Sequence, residues 1–415
     1  MFTFCHLTKQ EYNDFQANHP NANFMNSPQA MELKEADGWK VEYVGVKENG
    51  QIVCASNLTS IPVMKIYRYF YAQRGFLMDF ANQELISFFT KELKKYCRTQ
   101  KGLYLVVDPN VFYKERDIDG NIVEDGYDNS FVVENLEKVG FQHQGFTLGY
   151  DTVAWVRWIF TLYINGRSKE QLLKDFHQQT RWSINKTIKQ GIEVRELGLD
   201  EIDIFLDMMD ETAVRRGFES REHDFYKKQI EIFKDKGKLL VAYLDVDAFQ
   251  KRLDEEKEDL DKQMEDIQQK LAEIPNSKKF IKKQKVVQEA LDLNTKKQQE
   301  AKELKEQYGS IVNMATSFFI LCNNEVTYMH SATNDVFRKY YAPYALQWHM
   351  IQYAVDHGMN RYDFYGISGN FDKEDPGYGV YDFKKGFTGV VEELVGDFIL
   401  PIRPVAYKLY KTLKG

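Results

Sequence analysis

A heptad-like pattern between residues 246 and 308 constrains the fold more than any other part of the sequence. Apolar residues recur there at spacings of seven, four, three, four and three, at Leu253, Leu260, Met264, Ile267, Leu271 and Ile274. A weaker form continues after Pro275-Asn276-Ser277, at Val287, Leu291, Asn294, Gln298, Ala301 and Tyr308. The spacings predict two helices joined by a tight turn and packed as an antiparallel coiled coil. This arm would project roughly 35 Å at 1.5 Å per residue. Since antiparallel helices return the chain to its start, Val246 and Ser310 should lie close together, and the rest should fold without the arm.

The residues before the arm alternate between strand and helix patterns. Val41–Lys47 and Ile52–Ser60 read as strands on either side of Glu48-Asn49-Gly50, which has turn composition. Gln83–Tyr96 has helical spacing, and it precedes an apolar strand, 102–107, that Asp108-Pro109 ends. This order predicts an α/β layer.

A second unit with a similar order begins near Trp155, and Ser168 reads as the capped start of a helix. Its other predicted helices are Gln178–Gly191, Ile202–Arg216 and Ala342–Gly358. Its predicted strands are Thr161–Tyr163, Ile192–Leu197, Lys238–Asp245, Ala315–Cys322, Glu325–His330 and Tyr362–Tyr365. The similar order raises the hypothesis of a duplication.

Composition excludes several classes of protein. The net charge of −7 over 415 residues gives no overall footprint for nucleic acid, so any RNA contact needs a local basic patch. The four cysteines form no C-x-x-C pair and the eight histidines no H-E-x-x-H, which argues against a metal site and a disulfide framework. The start lacks a signal-peptide pattern, and no apolar run approaches the ~18 residues of a membrane span. We therefore expect a soluble, cytoplasmic protein.

Residues 361–389 form the most distinctive segment, RYDFYGISGNFDKEDPGYGVYDFKKGFTG. It contains neither a phosphate loop nor G-x-G-x-x-G, and its Gly366-Ile367-Ser368-Gly369 lacks the final glycine of a nucleophile elbow. A long loop-rich stretch in a compact domain is more often functional than idle. The alternative is a strand edge with exposed lysines.

The sequence resembles the FemABX family of peptidoglycan interpeptide-bridge aminoacyltransferases. The resemblance rests on YAPYALQWHMIQYAVDHGMNRYDFYGISGNF with GYGVYDFKKGF, on FMNSPQAMELKEADGW and YAQRGFLMDF, and on the predicted arm, which marks the FemA and FemB branch. It implies an α/β (α+β) fold with two acetyltransferase-like (GNAT-like) subdomains, at 1–152 and 153–400. The arm at 246–308 is inserted in the second, and a basic tail follows at 401–415.

The resemblance also implies the reaction. The donor would be aminoacyl-tRNA, the acceptor a lipid-linked muropeptide of the lipid II type, and the transferred residue glycine, alanine or serine. No cofactor or metal would be needed.

The family motifs point to ten site residues. Those implied in substrate binding are Lys34, which lies in the acceptor-binding segment, Asp79 of R-G-x-x-x-D, Asp108, Arg221, Phe225, Tyr226, Tyr328 and His330. Phe replaces a tyrosine of some relatives at 225, and His replaces the second tyrosine of Tyr-x-Tyr at 330. The alternative for Arg221 is that it braces the Glu219–Asp224 loop.

Phe383 and Lys384 match the family's reaction-centre pair. An aminoacyl ester is already activated, so the enzyme must align the substrates and stabilise the oxyanion, which an ammonium such as Lys384 can do. Lys385 should point to the opposite face of an extended segment.

Two basic groups are candidates for the contact with tRNA. The alternative for each group is an ordinary solvated surface. One lies where the arm helices meet, at Lys278, Lys279, Lys282, Lys283 and Lys285, and could instead meet an anionic membrane. The other is Arg181, Lys186 and Lys189. The tail Arg403–Lys414 is either a surface helix or a peripheral contact with the inner face of the membrane.

Two other functions compete with aminoacyl transfer. An acetyl-CoA-dependent N-acetyltransferase would need an R/Q-x-x-G-x-G/A loop, which is absent from the sequence. A non-catalytic interaction protein built on the coiled coil would leave 378–389 without a role.

Overall fold

Two mixed β-sheets organise the part of the protein that the computed structural model describes, residues 1–150, 155–217 and 220–414. In chain order the strands are β1 (Phe2–His6), β2 (Lys40–Glu48), β3 (Gln51–Val63), β4 (Tyr67–Ala72), β5 (Leu77–Met78), β6 (Gly102–Val107), β7 (Phe112–Glu115), β8 (Gln142–His143), β9 (Trp158–Tyr163), β10 (Ile192–Glu196), β11 (Gly237–Asp245), β12 (Ile311–Cys322), β13 (Glu325–Thr333), β14 (Arg361–Ile367), β15 (Val390–Leu394) and β16 (Phe398–Pro401).

Helices cover both sheets and form the arm. They are α1 (Lys9–Ala17), α2 (Pro28–Ala36), α3 (Gln83–Thr99), α4 (Ser130–Lys138), α5 (Lys169–Asp175), α6 (Gln178–Gln190), α7 (Ile202–Arg216), α8 (His223–Ile232), α9 (Val246–Glu273), α10 (Lys278–Tyr308), α11 (Ala342–Asp356), α12 (Tyr378–Lys385) and α13 (Pro404–Lys414). None of the helices in the described ranges combines the length and the apolar run needed to cross a lipid bilayer.

The two sheets share an order of elements. The first runs β1-β2-β3-β4-β6-β16-β8, with β5 paired to β3, and the second runs β10-β11-β12-β13-β14-β9-β15-β7. In each, four strands pair antiparallel in succession, and the fourth pairs parallel with the strand beyond α3 or α11. Two helices separate the first strand from the second in both units. This repeated order supports the hypothesis of a duplication.

The sheets exchange strands across the unit boundary expected from the sequence. β7, from the N-terminal part, pairs with β15 of the second sheet, whereas β16, near the C-terminus, pairs with β6 and β8 of the first. The expected boundary at 152/153 itself lies outside the described residues. Because each sheet contains a strand from the other part of the chain, the strand exchange ties the two units together.

The arm is an antiparallel helix pair, and its base belongs to the core. The backbone N–H of Val246 donates to the carbonyl of Ser310 at 2.9 Å, so the ends of the arm meet as expected. Phe249, Leu253, Ala301 and Leu304 pack into the core of the second unit. Further out the helices bury a separate apolar cluster, which contains Leu260, Met264, Ile267, Leu271, Phe280, Val287 and Leu291. Ile274, expected in the seam, is 54% exposed at the turn.

Short-range sequence signals explain several element ends. Asn49 and Gly50 both adopt positive φ, 51° and 85°, which is the backbone of a two-residue hairpin turn with right-handed strand twist. Ser168 and Gln171 form a reciprocal capping box at the start of α5. Gly191, with φ 74°, ends α6 in the left-handed conformation that glycine adopts without strain.

The expectation of an extended segment at Lys384 is wrong. Residues 378–385 form helix α12, which packs against both β9 and β14. Tyr381 and Lys384, three residues apart, are the buried residues of this short helix. Helical periodicity therefore decides which lysine faces the protein interior, and Lys385 still points elsewhere.

Candidate acceptor pocket and reaction centre

A cavity of about 60 Å³ lies between the two units, and we call it the junction pocket. Its walls come from the 3₁₀ turn Phe24–Asn26, from α2, from α8 and from β13. Trp155, at the start of the second unit, closes one side. Helices α2 and α8 pack against each other, so this pocket exists only when both units are in place.

Lys34 brings a cation to the pocket from the last turn of α2. Its Nζ lies 4.5 Å from the ring centre of Trp39 and 5.6 Å from that of Tyr71. Burial lowers the pKa of Lys34, the carboxylates of Asp37 and Asp108 oppose this, and the charge of Arg221 adds to it. The aromatic faces stabilise the ammonium without neutralising it, so it remains available to an anionic ligand.

Arg221 lies before α8 and supplies a second cation. The side chain is exposed, and its guanidinium carbon lies 5.2 Å from the ring centre of Phe225, a pocket residue. Within residues 1–150, 155–217 and 220–414, Arg221 forms no ion pair with Glu222 or Asp224; Glu219 lies outside the described residues. The loop-bracing alternative thus gains no support from those two carboxylates.

His330 lies beside the junction pocket, next to the lining residue Gln229. Its Nε2 lies 2.8 Å from Oε1 of Gln229, and its ring meets that of Tyr226 edge-on at 5.2 Å. Burial and the charge of Arg221 lower the pKa of His330 to about 4. The imidazole is therefore neutral at physiological pH, and Nε2–H donates to the amide oxygen.

A β-bulge in β13 separates Tyr328 from His330. Residues two apart in a regular strand share a face, but here Phe318 pairs with His330 and Phe319 with Tyr328, so Met329 is an extra residue. Tyr328 stacks on Phe319 at 5.4 Å in the core of the second unit, while His330 faces the cluster beside the pocket. Met329 itself lines the junction pocket. The structure places His330 beside the pocket and Tyr328 on the opposite face of the sheet.

Asp108 lies behind Lys34 and anchors Arg74. Its Oδ1 accepts the backbone N–H of Arg74 at 2.8 Å, and its Oδ2 is 3.5 Å from Nη1 of that residue. Arg74 also donates from Nη2 to the carbonyl of Val156 at 3.0 Å, which links the units. Burial raises the pKa of Asp108 to about 7, although the Arg74 charge opposes the shift.

Lys384 is buried beneath strand β14. Only 4% exposed, it donates from Nζ to the carbonyl oxygens of Gly366 at 2.6 Å and Tyr365 at 3.2 Å. Burial lowers its pKa to about 7, and the nearby Asp363 carboxylate opposes this shift. An ammonium has three N–H donors, so two carbonyls leave one for a ligand. Phe383 packs instead on Tyr344 at 5.0 Å and Phe387 at 5.6 Å.

Tyr365 connects Lys384 with the junction pocket. It has a φ of 64° at a bulge where β14 carries one residue more than β9. The Asp363 carboxylate accepts the Tyr365 N–H at 2.6 Å and holds the bulge. While the Tyr365 carbonyl accepts from Lys384, its ring lies 6.3 Å from that of Phe24 in the pocket wall. Tyr365 therefore lies between Lys384 and the predicted site residues at the junction pocket.

The sequence motifs pointed to some residues and missed others. Asp79 is exposed, and its carboxylate accepts the N–H of Ala81 at 2.8 Å in the turn before α3. The other end of the same R-G-x-x-x-D motif, Arg74, is the residue next to the pocket. No sequence pattern distinguished Trp155 or Tyr365, because their roles depend on contacts between the units.

The predicted basic groups differ in availability. Lys278, Lys279, Lys282, Lys283 and Lys285 are exposed at the outer end of the arm, although Lys285 lies 4.0 Å from Glu289. On α6, the Arg181 guanidinium donates to the carbonyls of Lys174 and Phe176, both at 2.6 Å. The arm lysines are thus more accessible than Arg181, whereas Lys189 on α6 is also exposed.

Comparisons with known proteins agree over the whole length. The model of the FemAB family matches residues 7–415. Aminoacyltransferase FemA of Staphylococcus epidermidis is 37% identical over 413 residues, which cover 99% of this chain and 99% of that protein. Aminoacyltransferase FemA of Staphylococcus aureus is 35% identical over 412 residues, 99% of this chain and 98% of that protein. The crystal structure of FemX superposes with a TM-score of 0.82 at 23% identity, over 98% of this chain and 99% of that one, and so shares the fold.

Proposed function

The chain belongs to the FemAB family, and from this premise we propose that it moves an amino acid from aminoacyl-tRNA to the stem or growing bridge of a lipid-linked peptidoglycan precursor. It is an aminoacyltransferase, as are the named relatives that match it end to end. That match favours aminoacyl transfer over acetyl transfer from acetyl-CoA. The reaction would take place at the cytoplasmic side of the membrane.

The observation that carries the acceptor assignment is the pair of cations at the junction pocket. Lys34 and Arg221 come from different units, and the charge of Arg221 adds to the lowering of the Lys34 pKa that burial causes. Two cations that lie over aromatic faces suit phosphate or carboxylate groups of a muropeptide. Phe225 would contact an apolar part of the muropeptide, and Tyr226 packs against Phe225 from the protein interior.

The other acceptor residues would act in different ways. His330, neutral and bonded to Gln229, would hold Gln229 in the pocket wall instead of contributing charge. Asp108 would balance the charge of Lys34 and fix Arg74 between the units. Asp79 and Tyr328 remain predictions without this support, because their contacts lie in a local turn and in the opposite core.

The chemistry needs no enzyme-bound intermediate, because the tRNA ester is already activated. The acceptor amine attacks the ester carbonyl and forms a tetrahedral oxyanion with a new C–N bond. The ester C–O bond then breaks, and the proton lost by the amine nitrogen balances the one gained by the leaving ribose oxygen of the tRNA. The third N–H of Lys384 would stabilise that oxyanion, with Phe383 packing beside it. We propose that the reaction uses no cofactor other than the aminoacyl-tRNA itself.

For the donor, we propose that the exposed lysines at the outer end of the arm contact tRNA phosphates. They are more accessible than Arg181, whose guanidinium is already bonded. Since phosphate contacts depend on counterion release, tRNA affinity should fall steeply with salt, and Lys279→Gln with Lys282→Gln should reduce that dependence.

Reconstitution of the reaction tests the proposed function. Full-length protein, a lipid-linked precursor and a mixture of charged tRNAs should yield a precursor heavier by one amino-acid residue. Omitting the tRNA should abolish the product, and acetyl-CoA should not replace it. A product heavier by an acetyl group, or no product with any charged tRNA, would contradict the proposal.

A further inference from the structure

A basic and apolar surface lies at one end of the first sheet, and it consists of two parts. The tip of the β3–β4 hairpin exposes Met64 (37%) and Ile66 (62%) on either side of Lys65. Helix α13 exposes Val405 (86%), Leu409 (58%) and Leu413 (70%). We call these two parts together the docking face. From this geometry we infer that the docking face binds an anionic lipid membrane.

The two parts lie at the same end of the sheet. Strands β4 and β6 run parallel, and β16 runs antiparallel to β6, so the start of β4, the start of β6 and the end of β16 coincide. The guanidinium carbon of Arg403 lies 5.7 Å from the ring centre of Tyr67, which joins the hairpin to the start of α13. The exposed apolar side chains therefore belong to one surface.

Helix α13 packs one face on the first sheet and exposes apolar side chains on another face. Tyr407 and Tyr410 pack on Tyr104, at 4.9 and 5.8 Å, and attach the helix to the sheet. The three aliphatic residues recur every four positions, so they form a stripe that the sheet does not cover. Lys408 and Lys411 are exposed along the border of this stripe. Apolar side chains next to lysines on a surface helix are the pattern of an interfacial membrane contact.

Charge identifies a lipid surface as the occupant. The protein carries a net charge of −7, yet residues 61–78 and 398–415 contain no acidic residue at all. Lys65, Arg68, Arg403, Lys408 and Lys411 make these two segments purely basic. Half-buried tyrosines beneath the surface, among them Tyr67 and Tyr410, match the interfacial preference of tyrosine.

A buried aromatic cluster also connects the docking face with the junction pocket. A tyrosine cluster, which contains Tyr69, Tyr71, Tyr104, Tyr407 and Tyr410, extends along the sheet from α13 to Lys34. The length of β4 separates the two, which is about 20 Å at 3.3 Å per residue. A substrate held in the membrane by its lipid could thus present its peptide in the pocket. The role of the docking face in presenting the acceptor rests on the proposed lipid-linked substrate, whereas the inferred membrane binding does not.

Co-sedimentation with vesicles tests the inference. The full-length protein should bind vesicles that contain phosphatidylglycerol and bind much more weakly to vesicles of phosphatidylcholine alone. Lys408→Gln with Lys411→Gln should weaken binding about fivefold for each lysine at low salt. Leu409→Gln with Leu413→Gln should weaken it about tenfold or more. The matched control is Val214→Gln on α7, because Val214 is 85% exposed, like Val405, but lies outside the docking face.

Two measurements separate the possible failures. Melting curves should show that all variants remain folded, and transfer to a water-soluble stem peptide should stay at the wild-type level, because no altered residue lines the pocket. If the wild-type protein ignores anionic vesicles, or if docking-face variants bind them as well as Val214→Gln does, the inference is wrong, and a protein partner would be the remaining occupant. If the wild-type protein binds vesicles but never aminoacylates a lipid-linked precursor held in them, with any charged tRNA, the proposed function fails instead.

Discussion

Replacing Lys384 with methionine tests both the burial and the proposed role of this lysine. The folded protein lowers the pKa of Lys384 from 10.5 to about 7. A shift of roughly 3.5 units corresponds to about 5 kcal/mol against the charged form. Methionine removes that cost. It also leaves the carbonyls of Tyr365 and Gly366 without a hydrogen-bond donor, which destabilises the folded state by about 1–3 kcal/mol for each carbonyl. We therefore expect Lys384→Met to change the free energy of unfolding at neutral pH by no more than ~3 kcal/mol.

The pH dependence gives the sharper measurement. Because the folded pKa lies below the unfolded one, the unfolded chain binds more protons between pH 7 and 10.5, and the contribution of Lys384 to stability rises with pH across that window. The slope approaches ~1.4 kcal/mol per pH unit, and the full cost is present below pH 7. Urea unfolding between pH 8.5 and 9.5 suits the test, since the pKa of Asp363, raised to about 8 mainly by burial, lies below that range. Lys384→Met should lack this part of the slope.

Activity provides an independent readout of the same variant. Single-turnover transfer should fall about 10²-fold or more, the usual loss for an oxyanion donor. Lys385→Met is the control, because the Lys385 ammonium pairs with Asp119 at the surface and should be dispensable for turnover. Wild-type turnover in Lys384→Met would remove the lysine from the reaction, and an unchanged stability slope would refute the burial argument.

Three further outcomes follow from the pocket and the arm. Arg221→Ala should raise the acceptor KM far more than it lowers kcat, with an effect that shrinks at high salt; an equal penalty for acceptors with and without the diphosphate would contradict the phosphate contact. His330→Ala should raise the acceptor KM while Tyr328→Phe leaves it unchanged, because the β13 bulge separates the two side chains; equal effects in steady-state kinetics would place both in one site. Replacing residues 258–290 with a Gly/Ser linker should preserve a single cooperative melt, since Phe249 and the rest of the arm base stay in the core; loss of the cooperative transition would show that the outer arm stabilises the fold.

Local patterns in the sequence determined the elements of this protein. The heptad spacing of the arm, the Asn49-Gly50 turn and the cap at Ser168 act over a few residues, so their geometry follows from backbone preferences that need no distant partner. The FemABX motifs pointed to Lys34, Arg221 and Lys384, because a family resemblance retains residue types even where contacts are unknown.

Only the tertiary structure decided how these elements form a site. The exchange of β7 and β16 depends on pairing between distant parts of the chain, which no local period encodes. The extra residue in β13, Met329, places Tyr328 and His330 on opposite faces of the sheet, although their spacing of two residues predicts a shared face. The low pKa of Lys384 has the same origin, because desolvation depends on what packs around an ammonium in three dimensions and not on its neighbours in sequence.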